Sequence, residues 1–102
     1  MRKITEDAIR AFRNNKHFKR DNTQVICVKQ SWKILENRRL VLHGHIIAEM
    51  DNNGNLFIDS CGYMTVTTKE RLNGFPSVNI IQRDFEWFLN GERWDGGLIR
   101  VA

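Results

Sequence analysis

Near its start the chain repeats apolar residues at the spacing of one helix face. Three residues form this narrow stripe: Ala8, Ile9 and Phe12. The pattern predicts a helix over residues 6–14. Thr5 would cap it by accepting a free backbone N–H, and Ile4 would lie beside Ile9 as a hydrophobic staple.

From residue 23 onward the pattern becomes that of strands. Short alternating or β-branched runs predict strands at residues 24–28, 32–35, 40–50, 56–61, 78–82, 85–89 and 98–101. We interpret residues 36–39 as a turn, and residues 40–50 as one strand with its even-numbered positions facing the core. Asn53-Gly54 is the strongest hairpin signal, because this pair tolerates the positive φ angles of a type I′ turn.

A second helix is predicted between the strands. Thr67 and Glu70 have the spacing of a capping box, in which each side chain bonds the other's backbone N–H. Gly74 would adopt the left-handed conformation that ends a helix, and Pro76 would prevent its continuation. This helix covers residues 68–73 and is too short to persist without packing.

These elements predict an α+β fold, with an N-terminal helix packed on a mainly antiparallel sheet and a short second helix before the last strands. The short connections favour antiparallel pairing, because parallel crossovers need about a dozen residues. Residues 1–102 are interpreted as one domain. No apolar run approaches the roughly 18 residues of a membrane span, and the two cysteines are interpreted as free thiols. We therefore expect a cytoplasmic protein with no membrane partner.

Charge is concentrated near the N-terminus. The whole chain has a net charge of +4, yet residues 1–20 hold seven basic and two acidic side chains. Such a basic pole favours an acidic partner such as nucleic acid, with solubility alone as the competing explanation. The candidate phosphate contacts are Arg10, Arg13, Lys16, Lys19 and Arg20, together with Arg38 and Arg39.

The most enzyme-like feature is His43-Gly44-His45. Residues two apart on a strand share a face, so both imidazoles could approach one metal ion. The sequence supplies no fixed third ligand, and it lacks the usual nucleophile–base signatures. We therefore predict no enzymatic activity, no cofactor and no metal, with His43 and His45 as weak metal candidates.

Two further groups are candidates for binding. Thr68, Lys69 and Arg71 lie at the start of the second helix, where an anion could bind, although capping explains the same spacing. Four aromatic residues lie near the end of the chain: Phe85, Trp87, Phe88 and Trp94. They form either part of the core or an exposed face that binds a protein.

Several motifs are similar to those of a known group. They are LHGHIIA at residues 42–48, CGYMTVTTKERLN at 61–73, WFLNG at 87–91 and WDG at 94–96. Over about residues 4–101 the chain resembles small proteins of bacteriophages and other mobile elements. The group has no established activity, so the resemblance transfers no functional residues; at position 45 its pattern leads us to expect a small polar residue. It implies an accessory protein acting on host or phage macromolecules, as in counter-defence.

The leading hypothesis is a non-enzymatic phage-type accessory protein in the host cytoplasm. It would bind nucleic acid through the basic N-terminal helix and the segment that follows. The alternative is an inhibitor that binds a host protein through the aromatic sheet face. The weakest alternative is a metal-dependent enzyme using His43 and His45, and the oligomeric state is left open.

Overall fold

The computed structural model of the protein describes residues 2–29 and 36–102. Before the second helix the elements are α1 (Lys3–Arg13), β1 (Phe18–Arg20), β2 (Thr23–Lys29), β3 (Glu36–Leu42), β4 (His45–Met50) and β5 (Leu56–Ile58). Then follow α2 (Val66–Leu72), β6 (Ile80–Arg83), β7 (Glu86–Leu89), β8 (Glu92–Arg93) and β9 (Ile99–Arg100). The strand predicted at residues 32–35 lies outside the described residues.

Two antiparallel sheets carry the fold. The larger has the order β1-β2-β3-β4-β5-β9, and the smaller has the order β6-β7-β8. Every strand pair between described residues is antiparallel. The predicted α+β class is thus confirmed, with an N-terminal helix on an antiparallel sheet and a short helix before the last strands. No helix among the described residues combines the length and apolarity needed to cross a membrane.

Helix α1 begins earlier than the sequence predicts. Its N-cap is Arg2, which makes no side-chain cap, so the predicted cap at Thr5 and the associated Ile4–Ile9 staple are wrong. Thr5 is instead buried inside the helix, where its hydroxyl donates to Glu70. The apolar stripe is confirmed, because Ala8, Ile9 and Phe12 all belong to the core.

Residues 36–50 form a hairpin, and the prediction of a turn followed by one long strand is wrong. Residues 36–39 lie in β3, and the chain reverses at His43-Gly44, where φ is +51° and +80°. A register shift also interrupts the pairing of β3 with β4. As a result Ile47 is 2% exposed and Ile46 is 41% exposed, which is the reverse of the predicted alternation.

The turn at residues 51–55 confirms the predicted hairpin between β4 and β5, with different torsions. Gly54 has a φ of +83°, whereas Asn53 is not among the described residues with positive φ. The Asp51 carboxylate accepts the backbone N–H groups of Asn53 and Asn55, both at 2.9 Å. Two consecutive positive φ angles, as in a type I′ turn, occur at other turns of the chain, among them Asn90-Gly91.

Helix α2 is capped two residues before the predicted position. Thr65 accepts the Thr68 N–H at 3.2 Å, so the capping box of Thr67 and Glu70 is wrong. Gly74 also lacks the predicted left-handed φ. A side chain there would place Cβ 2.6 Å from Ile9 Cγ1, so this glycine permits the close approach to α1.

Candidate nucleic-acid interface

The exposed cations of the N-terminal segment come from α1, the following loop and β1. Arg10, Arg13, Lys16 and Lys19 are all exposed. The Lys16 N–H donates to the Ala11 carbonyl at 2.9 Å, which turns the chain back so that β1 contacts α1. We call Arg10, Arg13, Lys16, Lys19 and Arg20 the basic segment.

Asp7 neutralises part of the basic segment. Its carboxylate lies 2.9 Å from Arg20, 3.0 Å from Lys3 and 3.6 Å from Arg10. The side-chain hydrogen bond from Arg20, followed by that from Lys3, holds the pKa of Asp7 below its ordinary value. Arg13, Lys16 and Lys19 form no ion pair within the described part of the chain.

The other two predicted phosphate contacts have partners inside the protein. Arg38 Nη1 donates to the carbonyls of Phe12 and Arg13, at 3.2 and 3.4 Å, and so caps the end of α1. Arg39 Nε donates to Glu49 at 2.8 Å. To bind a phosphate, Arg38 and Arg39 would have to break these internal hydrogen bonds.

The sheet register places the cations on two faces. Arg20 pairs with Thr23 and Arg38 with Cys27, so both lie on the side that α1 covers. Lys19 pairs with Gln24, and therefore faces the opposite side of the sheet. The basic segment thus runs along the β1 edge of the sheet instead of covering one flat face.

The two histidines do not share a strand, so the geometry predicted for them is wrong. His43 lies in the β3–β4 turn and His45 begins β4. His43 Nε2 is 3.4 Å from Asn22 Nδ2, and the His45 ring stacks on Tyr63 with ring centroids 4.5 Å apart. Within residues 2–29 and 36–102, no three His, Cys, Asp or Glu side chains are placed to hold a metal ion.

Both histidines nevertheless line one cavity, of about 240 Å³. It lies between the β3–β4 turn and the start of α2, and we call it the turn cavity. Its lining is Leu42, His43, His45, Ile47, Ser60, Tyr63, Thr65, Thr67 and Thr68. The pattern of residues within one strand could not predict this cavity. The cavity forms only because the chain reverses at His43-Gly44 and α2 packs on β4.

The predicted anion contacts are divided between the interior and the surface. Arg71 is 2% exposed; its Nε donates to Thr23 at 3.0 Å, and its Nη1 donates to Thr5 at 2.9 Å and to Glu70 at 3.2 Å. Thr68 is also buried, and its hydroxyl lies 3.1 Å from that of Thr65. Lys69 donates to Gln82 at 3.3 Å.

The aromatic residues near the end of the chain are divided in the same way. Trp87 and Trp94 are buried in the core, with ring centroids 6.0 Å apart. Phe88 is half-buried beneath the Arg83 guanidinium. Phe85 is 96% exposed at the tip of the β6–β7 hairpin, and its φ is +67°. An exposed aromatic strand face is therefore absent from this described hairpin, which presents a single ring at its tip.

Comparisons with known proteins test whether the chain is related to phage proteins. No curated protein and no solved structure matches the chain. A family of phage proteins matches almost its full length. Over residues 1–99 the chain matches the family described as Kyanoviridae Gp96 protein, and it therefore belongs to that family.

Proposed function

We propose that this phage protein is an accessory factor that acts by binding nucleic acid through the basic segment, without catalysing a reaction. One observation carries the proposal: Arg13, Lys16 and Lys19 project into solvent without an ion-pair partner among the described residues. Cations that are already exposed can contact phosphates without breaking internal bonds. Membership of a phage family is consistent with an accessory role, and it identifies no partner.

Salt dependence provides a quantitative signature of this binding. Each neutralised phosphate releases counterions, so the logarithm of affinity falls linearly with the logarithm of salt concentration. If all five cations of the basic segment contact phosphates, the slope is about −3.5 for a single strand and about −4.5 for a duplex. Retention of the Asp7 ion pairs by Arg10 and Arg20 would reduce both values.

The test is fluorescence anisotropy with labelled single-stranded and duplex oligonucleotides over a salt series. The variant Arg13→Gln/Lys16→Gln/Lys19→Gln removes the three unpaired cations and should reduce both the affinity and the slope. The matched control is Arg83→Gln/Arg93→Gln/Arg100→Gln, which removes the same charge from exposed positions elsewhere. Absence of binding by the wild type at low salt, or an equal loss in the control, would contradict the proposal.

Phe85 supports a second candidate function, the binding of a host protein. A bulky side chain at positive φ is uncommon, and it persists where the surroundings or a function maintain it. The ring borders an open hollow that also contains Met64, Trp94 and the oppositely charged Glu86 and Arg93. An exposed aromatic ring beside such a hollow is typical of a protein contact that depends on one anchor.

Affinity capture from host lysate tests this second function. A partner retained by the wild type and by the Arg13→Gln/Lys16→Gln/Lys19→Gln variant, and lost by Phe85→Ala, would support it. Equal capture by Phe85→Ala would contradict it. The two functions therefore respond to different variants of the same chain.

A further inference from the structure

The turn cavity has the size and the apolar lining expected of a site that binds one flat aromatic ring. Its volume of about 240 Å³ is below the roughly 300–1,000 Å³ typical of sites for drug-sized ligands. Leu42 and Ile47 contribute apolar side chains to the lining, and both are buried. A ring system placed there would remove apolar surface from water on both sides of the contact.

An aromatic wall is already formed at the opening of the cavity. The rings of His45 and Tyr63 stack with an interplanar angle of 30°, and Tyr63 is 53% exposed. The phenol ring of Tyr63 is therefore accessible to a ligand from solvent. Stacking of a base on an exposed aromatic side chain is the common device of proteins that bind single-stranded nucleic acid.

The polar groups around the cavity suit a neutral ligand with hydrogen-bonding edges. Ser60, Thr67 and Tyr63 contribute hydroxyl groups, each of which can donate or accept. No Asp, Glu, Lys or Arg is among the described residues that line it. The cavity therefore favours an uncharged heteroaromatic ring over a phosphate or a carboxylate, whose burial there would meet no lysine or arginine among the described lining residues.

The cavity and the basic segment meet at the β3–β4 turn. A second hollow, of about 390 Å³, shares His43 with the cavity and extends along Gln24 and Val41 to Lys19 on the opposite face of the sheet, with Asp21 on its border. A strand that occupies both would therefore pass around this turn. Lys19 and Val41 are two strand spacings apart, which is roughly 10 Å. The Asn22 carbonyl accepts the His43 N–H at 2.8 Å and joins the two turns that form this path.

We propose that the turn cavity binds a base of single-stranded nucleic acid while Lys19 and its neighbours contact the phosphates of the same strand. The proposal rests on the proposed function, because it assigns the polymer that the basic segment would bind. It implies that the protein distinguishes single strands from duplexes, since a paired and stacked base cannot enter the cavity.

The experiment compares three probes of equal length: oligothymidylate, the corresponding abasic oligonucleotide and a duplex. All carry phosphates, and only the first offers unpaired bases. We expect the wild type to bind oligothymidylate about 5- to 140-fold more tightly than the abasic strand, the range that stacking of one base provides. Tyr63→Ala should abolish this difference without changing the affinity for the abasic strand.

Two variants and a second measurement separate the ring from the fold. Tyr63→Phe should retain the preference, because it preserves the stacking face, and Phe85→Ala should also retain it, because that exposed ring lies outside the cavity. In NMR spectra of the wild type, ring protons of His45 and Tyr63 should shift with oligothymidylate and not with the abasic strand.

Each outcome decides between the two proposals. Equal affinities for oligothymidylate and the abasic strand, or unshifted His45 and Tyr63 resonances at saturation, would overturn the cavity proposal and leave the basic segment as a phosphate-binding surface. Absence of binding to all three probes at low salt would overturn the proposed function together with this inference. If Tyr63→Ala still binds oligothymidylate more tightly than the abasic strand, the cavity proposal would also be overturned.

Discussion

Replacing Phe85 by glycine should stabilise this protein, although it removes a whole aromatic side chain. Phe85 is the second of two consecutive residues with positive φ: Asp84 has a φ of +51° and Phe85 a φ of +67°. This is the torsion pattern of a type I′ turn, for which glycine is the favoured second residue. The left-handed conformation costs an ordinary residue about 1–2 kcal/mol.

The other contributions can be estimated from the exposure of the ring. Because Phe85 is 96% exposed, its deletion removes almost no buried apolar surface. Glycine adds backbone freedom to the unfolded chain, which offsets about 0.5–1 kcal/mol of the gain. We therefore expect Phe85→Gly to raise the free energy of unfolding by up to about 1.5 kcal/mol, with a central value of about 0.75 kcal/mol, which corresponds to a rise in Tm of about 3–6 °C for a domain of this size.

Urea denaturation followed by tryptophan fluorescence measures the change, because Trp87 on β7 and Trp94 directly after β8 are both buried in the core. Phe85→Ala is the matched control: it removes the ring and keeps the strained Cβ, so its effect should be within about 0.5 kcal/mol of zero. A loss of stability in Phe85→Gly would refute the reasoning, since it would mean that the ring makes stabilising contacts within the fold.

Three further predictions concern the interior and the charges. Gly74→Ala should lower the free energy of unfolding by about 1–3 kcal/mol in urea denaturation, because its Cβ would lie 2.6 Å from Ile9 Cγ1. Gly97→Ala is the control: its Cβ would meet only the Asp95 side chain, so the loss of stability should be smaller. Arg71→Met should cost about 3–5 kcal/mol by the same assay, because it leaves Glu70 without its buried cation; a loss below 1 kcal/mol would contradict the importance of the network. Since the pKa of Asp7 is lower in the folded protein than in the unfolded chain, its contribution to stability is present above the unfolded pKa and is lost as pH falls through the folded pKa. Asp7→Asn should therefore weaken the acid dependence of stability; an Asp7 pKa at its ordinary value by NMR titration would contradict this.

The parts of the fold that sequence predicts well are those with a local cause. The apolar stripe Ala8–Ile9–Phe12 depends only on helical spacing, and the turn at residues 51–55 depends on Gly54 and on hydrogen bonds to Asp51 within the same turn. The sequence does not predict the reversal at His43-Gly44, because β-branched and apolar residues continue on both sides of it. A histidine at positive φ gives little signal in a sequence, so residues 40–50 resemble one strand.

The candidate sites required tertiary information. The exposure of Arg13, Lys16 and Lys19 agrees with expectation, whereas the internal bonds of Arg38 and Arg39 depend on contacts 25 and 10 residues distant along the chain. The sequence predicts the wrong cap because Thr65, Thr67 and Thr68 can all act as caps, and because the Glu70 carboxylate that a capping box needs instead accepts the Thr5 hydroxyl. Tyr63 gave no sequence signal, because its stacking on His45 depends on two turns that approach each other in space.

The buried Arg71 network has a consequence for the order of folding. Strands β2, β3 and β4 pair with strands that are adjacent to them in the chain, whereas Arg71 bonds residues 48 and 66 positions away. Closing such long loops costs more entropy than closing a hairpin, so we expect this network to form after the rate-limiting step. Loss of Arg71 would then accelerate unfolding while leaving the refolding rate nearly unchanged. The arginine that holds Thr5, Thr23 and Glu70 together would thus govern how long the folded molecule lasts more than how quickly it forms.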